Sequence, residues 1–132
     1  MDTNNCSEAY KKYLLSPSWQ QDIRPSVLER DGYKCQMCGA VDSFDNETEM
    51  QVHHVVGKYR FHEKGHENTL IVLCPECHQK YHEYMKARDW LNENKDTPFR
   101  VRWHTEYQKI VENNQAFIDR YFRICKQRGC FD

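Results

Sequence analysis

The spacing of apolar positions changes several times along the chain. SEAYKKYLL is a short amphipathic segment that stops at Ser16-Pro17. SWQQDIRPSVLERDG then places Trp19, Ile23 and Val27 at helical spacing, with Gly32 as the stop. Pro25 lies inside that pattern and predicts a kink or a division of the helix, because proline removes a donor and crowds the preceding turn. Residues 35–50 are loop-like and contain the acidic run DSFDNETE. MQVHHVV reads as a short strand and TLIVL as a second, β-branched one, with the polar loop KYRFHEKGHEN between them. PECHQKYHEYMKARDWLNEN reads as a helix with Pro75 near its start, where a missing N–H costs little. After Asp96-Thr97-Pro98, one last long helix is predicted over HTEYQKIVENNQAFIDRYFRICKQRG. Its stripe of Tyr107, Ile110, Val111, Phe117, Ile118, Tyr121 and Phe122 needs a packing surface. That surface is either the core of the same chain or a homodimer interface. The middle of the chain is therefore a ββα unit.

Composition adds the next constraint. Hydrophobic residues make up 39% of 132, which predicts one domain with a small core. A small core needs help, and metal is one form of help. No apolar run is long enough to span a bilayer, and no basic-then-apolar start resembles a signal peptide, so the expected setting is soluble and cytoplasmic. Four of the seven cysteines form two CxxC pairs, CQMC at 35–38 and CPEC at 74–77. Two residues between thiols is the spacing at which both sulfurs turn toward one tetrahedral zinc. A disulfide framework suits a reducing cytosol poorly, and a redox CxxC lacks its βαβ setting. Cys6, Cys125 and Cys130 have no assigned work.

The net charge of −1 does not announce a nucleic-acid partner. Its distribution says more. Residues 35–85 carry four basic and eight acidic side chains, together with six of the seven histidines. Residues 86–132 carry ten basic and seven acidic. If the central segment meets DNA, bound cations must supply much of the positive field.

The metal-type donors divide in one of two ways. In the first, Cys35, Cys38, Cys74 and Cys77 close a structural site and leave His53, His54, His78 and His82 as a second cluster. His78 and His82 are i and i+4 on a helix and share a face. His53 and His54 are neighbours on a strand and point to opposite sides, so one suits a metal and the other a substrate. In the second, Cys35, Cys38, His53 and His54 hold one ion, and Cys74, Cys77, His78 and His82 another. Adjacent residues diverge by about 100° on a helix and further on a strand, which favours the first division. A three-ligand ion keeps open positions, and a neutral histidine beside it can take a proton from water.

LERDGYKCQMCG, VHHVV and HENTLIVLCPECHQKYH together resemble the HNH endonucleases of the ββα-metal (His-Me finger) fold. The leader YLLSPSWQQDIRPSVLERDGYKC is similar to that of phage and bacterial members with two CxxC pairs, and the resemblance spans residues 13–85. It implies a small α+β fold: a ββα-metal core with a four-cysteine zinc site, flanked by N- and C-terminal helices. The corresponding divisions are a leader at 1–34, a nuclease core at 35–90 and a helical extension at 91–132. By the same resemblance, Cys35, Cys38, Cys74 and Cys77 are structural zinc ligands. His53, His78 and His82 hold a catalytic divalent ion, His54 is the general base, and Asn68 braces the loop and helps orient that base. Asn68 lies six residues before Cys74 where five is commoner, so Thr69 is the other occupant of that position.

The implied activity is hydrolysis of DNA phosphodiester bonds, by nicking or double-strand cleavage, in a bacterial cell or phage-infected host. RNA is the second choice of substrate, with Tyr59 and Phe61 available to stack on bases. Lys58, Arg60 and Lys80 are expected at flanking phosphates, or else as solvated charges. The expected cofactors are structural Zn2+ and one catalytic cation among Mg2+, Mn2+, Ni2+, Co2+ and Zn2+. His62 and His66 read as surface loop histidines. The rival reading from another class is a non-catalytic zinc-stabilised module that binds nucleic acid or protein.

Overall fold

A computed structural model describes residues 7–41, 50–96 and 101–131. Cys6, the acidic run at 42–49 and residues 97–100 lie outside the described residues. The first helix, α1 (Glu8–Leu14), starts at Ser7, whose hydroxyl accepts from the Tyr10 N–H at 3.1 Å. A wide π-helical turn, Ser18–Ile23, then runs directly into α2 (Arg24–Arg30). Pro25 sits in the first turn of α2, so the division predicted from its missing N–H falls beside it.

Strands β1 (Gln51–His54) and β2 (Leu70–Leu73) pair antiparallel, with His53 opposite Ile71 and His54 opposite Leu70. A short 3-10 turn, Glu67–Thr69, leads into β2. The third helix, α3 (Pro75–Glu93), begins at Cys74, whose sulfur accepts from the Cys77 N–H at 3.4 Å. The core is thus a two-stranded hairpin followed by a helix, within a small α+β chain.

The last helix departs from expectation. It is two helices, α4 (Val101–Asn113) and α5 (Gln115–Gln127), separated at Asn114. The Asn114 amide donates back to the Ile110 carbonyl at 2.8 Å. A short amide side chain competes for backbone groups in this way, which weakens a helix interior. The break lets the two helices serve different surfaces. On α4, His104 and Tyr107 lie against Trp90 of α3, with ring centroids 5.0 and 4.8 Å away. From α5, Ile118, Tyr121 and Cys125 enter the same core as Trp19, Val27, Val52 and Ile71. Of the predicted stripe, Ile118 and Tyr121 are buried and Phe122 is exposed.

Asp31 joins three elements. Its carboxylate accepts from Arg30 at 2.9 and 3.0 Å, from Arg128 at 2.6 Å and from the Val72 N–H at 3.1 Å. Among the described residues no helix is long and apolar enough to cross a membrane.

Candidate active site and metal centres

The first CxxC pair sits in a tight knuckle. The Cys35 N–H donates to the Ala40 carbonyl at 2.8 Å and the Gly39 N–H returns to the Cys35 carbonyl at 2.9 Å. Gly39 makes this turn with φ +79, a conformation that side chains resist. The second pair lies at the start of α3, where proline at 75 and the Cys74 cap fix the chain. The four sulfurs of Cys35, Cys38, Cys74 and Cys77 all lie within 4.8 Å of one another. Burial pushes the Cys35 thiol up, but backbone hydrogen bonds at Cys38, Cys74 and Met37 outweigh it and hold it below its ordinary range. Burial, then the neighbouring Cys35, push Cys77 far up. Four such thiols share this volume as thiolates only around a cation, and a tetrahedral zinc fits the donor set.

The second cluster is His53, His78 and His82, whose ligand atoms also lie within 4.8 Å of one another. His53 comes from β1, and the other two from successive turns of α3. The Nε2 atoms of His78 and His82 are 3.0 Å apart. The Gln51 amide oxygen accepts from His78 Nδ1–H, which leaves Nε2 with its lone pair. Gln51 stands two residues before His53 and so shares its face of the strand. On the other side, the buried Tyr121 hydroxyl lies 2.8 Å from His53 Nε2. The trio fits a divalent ion, with Gln51 and Tyr121 orienting two of its rings.

An open groove of about 800 Å³ runs along α3 past His78 and His82, lined also by Gln51, Lys86 and Trp90. Glu83, Asp89 and Glu93 line it too, so a cation held at the trio would offset the acidic side chains of the groove.

His54 leaves the opposite face of β1. The sequence pattern set it facing a substrate. In the structure it is 5% exposed and packs beneath the N-terminal helices. Trp19 stacks on its ring at 5.5 Å and 15°, and Tyr10 meets it edge-on at 5.6 Å. Its Nε2 is 3.1 Å from Glu63 Oε2 and 2.6 Å from the Tyr10 hydroxyl. Its Nδ1 is buried with no hydrogen-bond partner among the described residues.

The remaining predicted positions scatter. Asn68 is exposed, and its amide donates to the Gly129 carbonyl at 2.9 Å, tying the loop before β2 to the C-terminal segment. His54 meets Tyr10 and Glu63 at its Nε2, not Asn68. Thr69 is buried and donates to the His66 carbonyl at 2.7 Å. Lys58 is exposed, with its ammonium 5.0 Å from the Tyr59 ring centroid. Arg60 folds over the Tyr10 ring at 5.4 Å. Lys80 pairs with Glu76 at 3.7 Å. His66 stacks on Tyr59 at 3.7 Å, and His62 is exposed.

Four residues of the site were not singled out by sequence: Tyr10, Gln51, Glu63 and Tyr121. The period-two rule could have found Gln51 from His53. Nothing in the loop sequence separates Glu63 from its charged neighbours, and Tyr10 and Tyr121 sit in stripes that read as core.

A family model for HNH endonuclease matches residues 35–83, a segment that holds both cysteine pairs and all three histidines of the second cluster. No curated protein and no solved structure matches the chain. The match supports a nuclease-type function in general terms, and the family it names implies a nucleic-acid substrate. The order of elements within that segment, knuckle, strand, strand and helix, is the one laid out above. Residues 35–83 thus match the HNH endonuclease family model, and their four clustered cysteines are consistent with its zinc-binding form.

Proposed function

We propose that the protein is a metal-dependent endonuclease that hydrolyses DNA phosphodiester bonds. The observation that carries the reading is the convergence of His53, His78 and His82 at the edge of an open groove, inside the HNH segment. Three neutral imidazoles would hold one divalent ion, and when bound it supplies charge stabilisation at the scissile phosphate and the leaving oxygen. Gln51 and Tyr121 keep the ligand rings turned inward. Cys35, Cys38, Cys74 and Cys77 would hold a zinc with no open position, which fixes the start of α3 and with it His78 and His82.

His54 is the general base. Its Nε2 faces a carboxylate and a hydroxyl, so the proton sits there and the lone pair sits on Nδ1. In this reading Nδ1 removes a proton from the attacking water, which must enter beside it when DNA seats. Lys58, Arg60 and Lys80 remain the candidates for flanking phosphates, with the Tyr59 ring, the Tyr10 ring and Glu76 as their neighbours.

The test is a plasmid assay on metal-stripped, zinc-repleted protein, with Mg2+, Mn2+, Ni2+, Co2+ or Zn2+ added back singly. Wild type is expected to nick or linearise supercoiled DNA with at least one ion. His54→Ala is expected to lose cleavage by about 100-fold or more while keeping its bound zinc and a cooperative, if lower, thermal transition. Full cleavage by His54→Ala overturns its role as base. No cleavage by wild type with any ion overturns the enzyme reading and leaves a zinc-stabilised binding module.

A further inference from the structure

We propose that Glu63 is a positioning residue for His54, held by two tyrosines of α1, so that a helix outside the HNH segment is part of the active site. The inference rests on the reading of His54 as the base. Glu63 lies nine positions after His54, and its side chain is fully buried. A buried carboxylate persists only where donors replace water. Three converge on it. The Tyr10 hydroxyl donates to Oε2, the Tyr13 hydroxyl donates to Oε1 at 2.9 Å, and His54 Nε2 lies 3.1 Å from Oε2.

The protonation pattern follows from these contacts. Burial pushes Glu63 up, but hydrogen bonds from His54, Tyr10 and Tyr13 outweigh it and hold the carboxyl below its usual range. It is therefore ionised near neutral pH and only accepts. Burial and the Glu63 contacts raise both tyrosines, Tyr13 to about 12, so each keeps its proton and donates. With every neighbour of Nε2 committed, His54 meets the carboxylate with an N–H at Nε2 and keeps its lone pair at Nδ1. Trp19 on one face and Tyr10 at the edge prevent the ring from turning over.

The loop that carries Glu63 is shaped for this purpose. Phe61 adopts φ +71, which a bulky side chain resists. Its ring lies 4.9 Å from Tyr10 and 5.1 Å from Tyr13. The contacts with α1 hold the strained turn and deliver Glu63 beneath His54. A carboxylate that fixes the tautomer of a catalytic histidine contributes to rate without touching substrate.

The experiment uses the full zinc-loaded chain. Imidazole nitrogen shifts of His54 are recorded by NMR at about pH 8, where an ordinary histidine is neutral, in wild type, Glu63→Gln and Tyr13→Phe. Cleavage constants are measured beside them. Wild type is expected to show an Nε2–H tautomer with an unprotonated Nδ1. Glu63→Gln places a donor amide beside Nε2, so it is expected to shift that pattern. It should also lower kcat by about 100-fold with KM for DNA changed by less than about twofold. Tyr13→Phe removes one of the three donors and is expected to lower kcat by about threefold to tenfold, again with KM kept. An Nδ1–H tautomer in wild type overturns the inference whatever the cleavage assay gives. Wild-type kcat in Glu63→Gln overturns it as well. If Glu63→Gln does not fold, Tyr13→Phe decides: an unchanged kcat overturns the proposal, and a lowered kcat at constant KM supports it. A failed nuclease reading is recognised separately, by a wild-type protein that cuts with no ion while the Nε2–H signal is present; the positioning role then falls with the base it serves.

Discussion

Asp31 shows how much one side chain carries in a chain with a small core. Burial pushes its carboxyl up, but hydrogen bonds from Arg30 and Arg128 outweigh it and hold the group below its ordinary range. Replacing it by asparagine keeps the shape and removes the charge that both guanidiniums face. The expected cost is about 3 kcal/mol of stability, read from denaturant unfolding. The pH dependence has a defined sign. A carboxyl depressed in the folded state stabilises fully above its unfolded value of about 3.9 and loses that contribution as pH falls through the folded value. The difference in Tm between wild type and Asp31→Asn is therefore expected to stay flat from about pH 8 to 5 and to shrink below about pH 4. A difference that grows on acidification would contradict this account. At the same scale, the sequence made the candidate metal donors legible, because thiols three apart and histidines four apart leave few geometries. It did not reveal Glu63. A glutamate in a charged loop reads as solvated until the loop is folded against α1.

Elements decide which donors meet. β1 sends His53 and His54 to opposite faces, so one strand serves the metal cluster and the Tyr10–Glu63 pocket at once. α3 presents His78 and His82 toward His53 because its start is fixed by the Cys74 cap and Pro75. The ββα order was readable from apolar periodicity, and the strands came out shorter than the runs that suggested them. The break at Asn114 was not read, since the apolar stripe continues through it and only side-chain competition ends the helix. That break has a consequence at the metal cluster. It orients α5 so that Tyr121 reaches His53. Tyr121→Phe keeps the ring in the core and removes the hydroxyl. It is expected to weaken divalent-ion binding at the trio about tenfold, measured by calorimetry on zinc-repleted protein, with the four-cysteine zinc unaffected. Unchanged affinity would show that the hydroxyl does not orient the ligand.

For the whole molecule, the four-cysteine cluster links the knuckle after α2 to the start of α3, and so stands between the N-terminal helices and the helix that carries His78 and His82. A chain with 39% hydrophobic residues has limited burial to replace that link. Cys77→Ser is expected to lose about one zinc per chain and to lower Tm by at least about 10 °C, measured by metal analysis and thermal melts. A variant that loses zinc and keeps its Tm would show that the cluster does not hold the fold. The sequence by itself determined which cysteines and histidines cluster and the ββα order, because both are set by spacing over a few residues. Only the tertiary structure decided what surrounds them. It put Glu63 and Tyr10 under His54, Gln51 and Tyr121 behind His78 and His53, and Asn68 on the Gly129 carbonyl. Those partners are up to 68 residues apart in the chain. Contacts of that range are chosen by packing of whole elements, and no local periodicity records them.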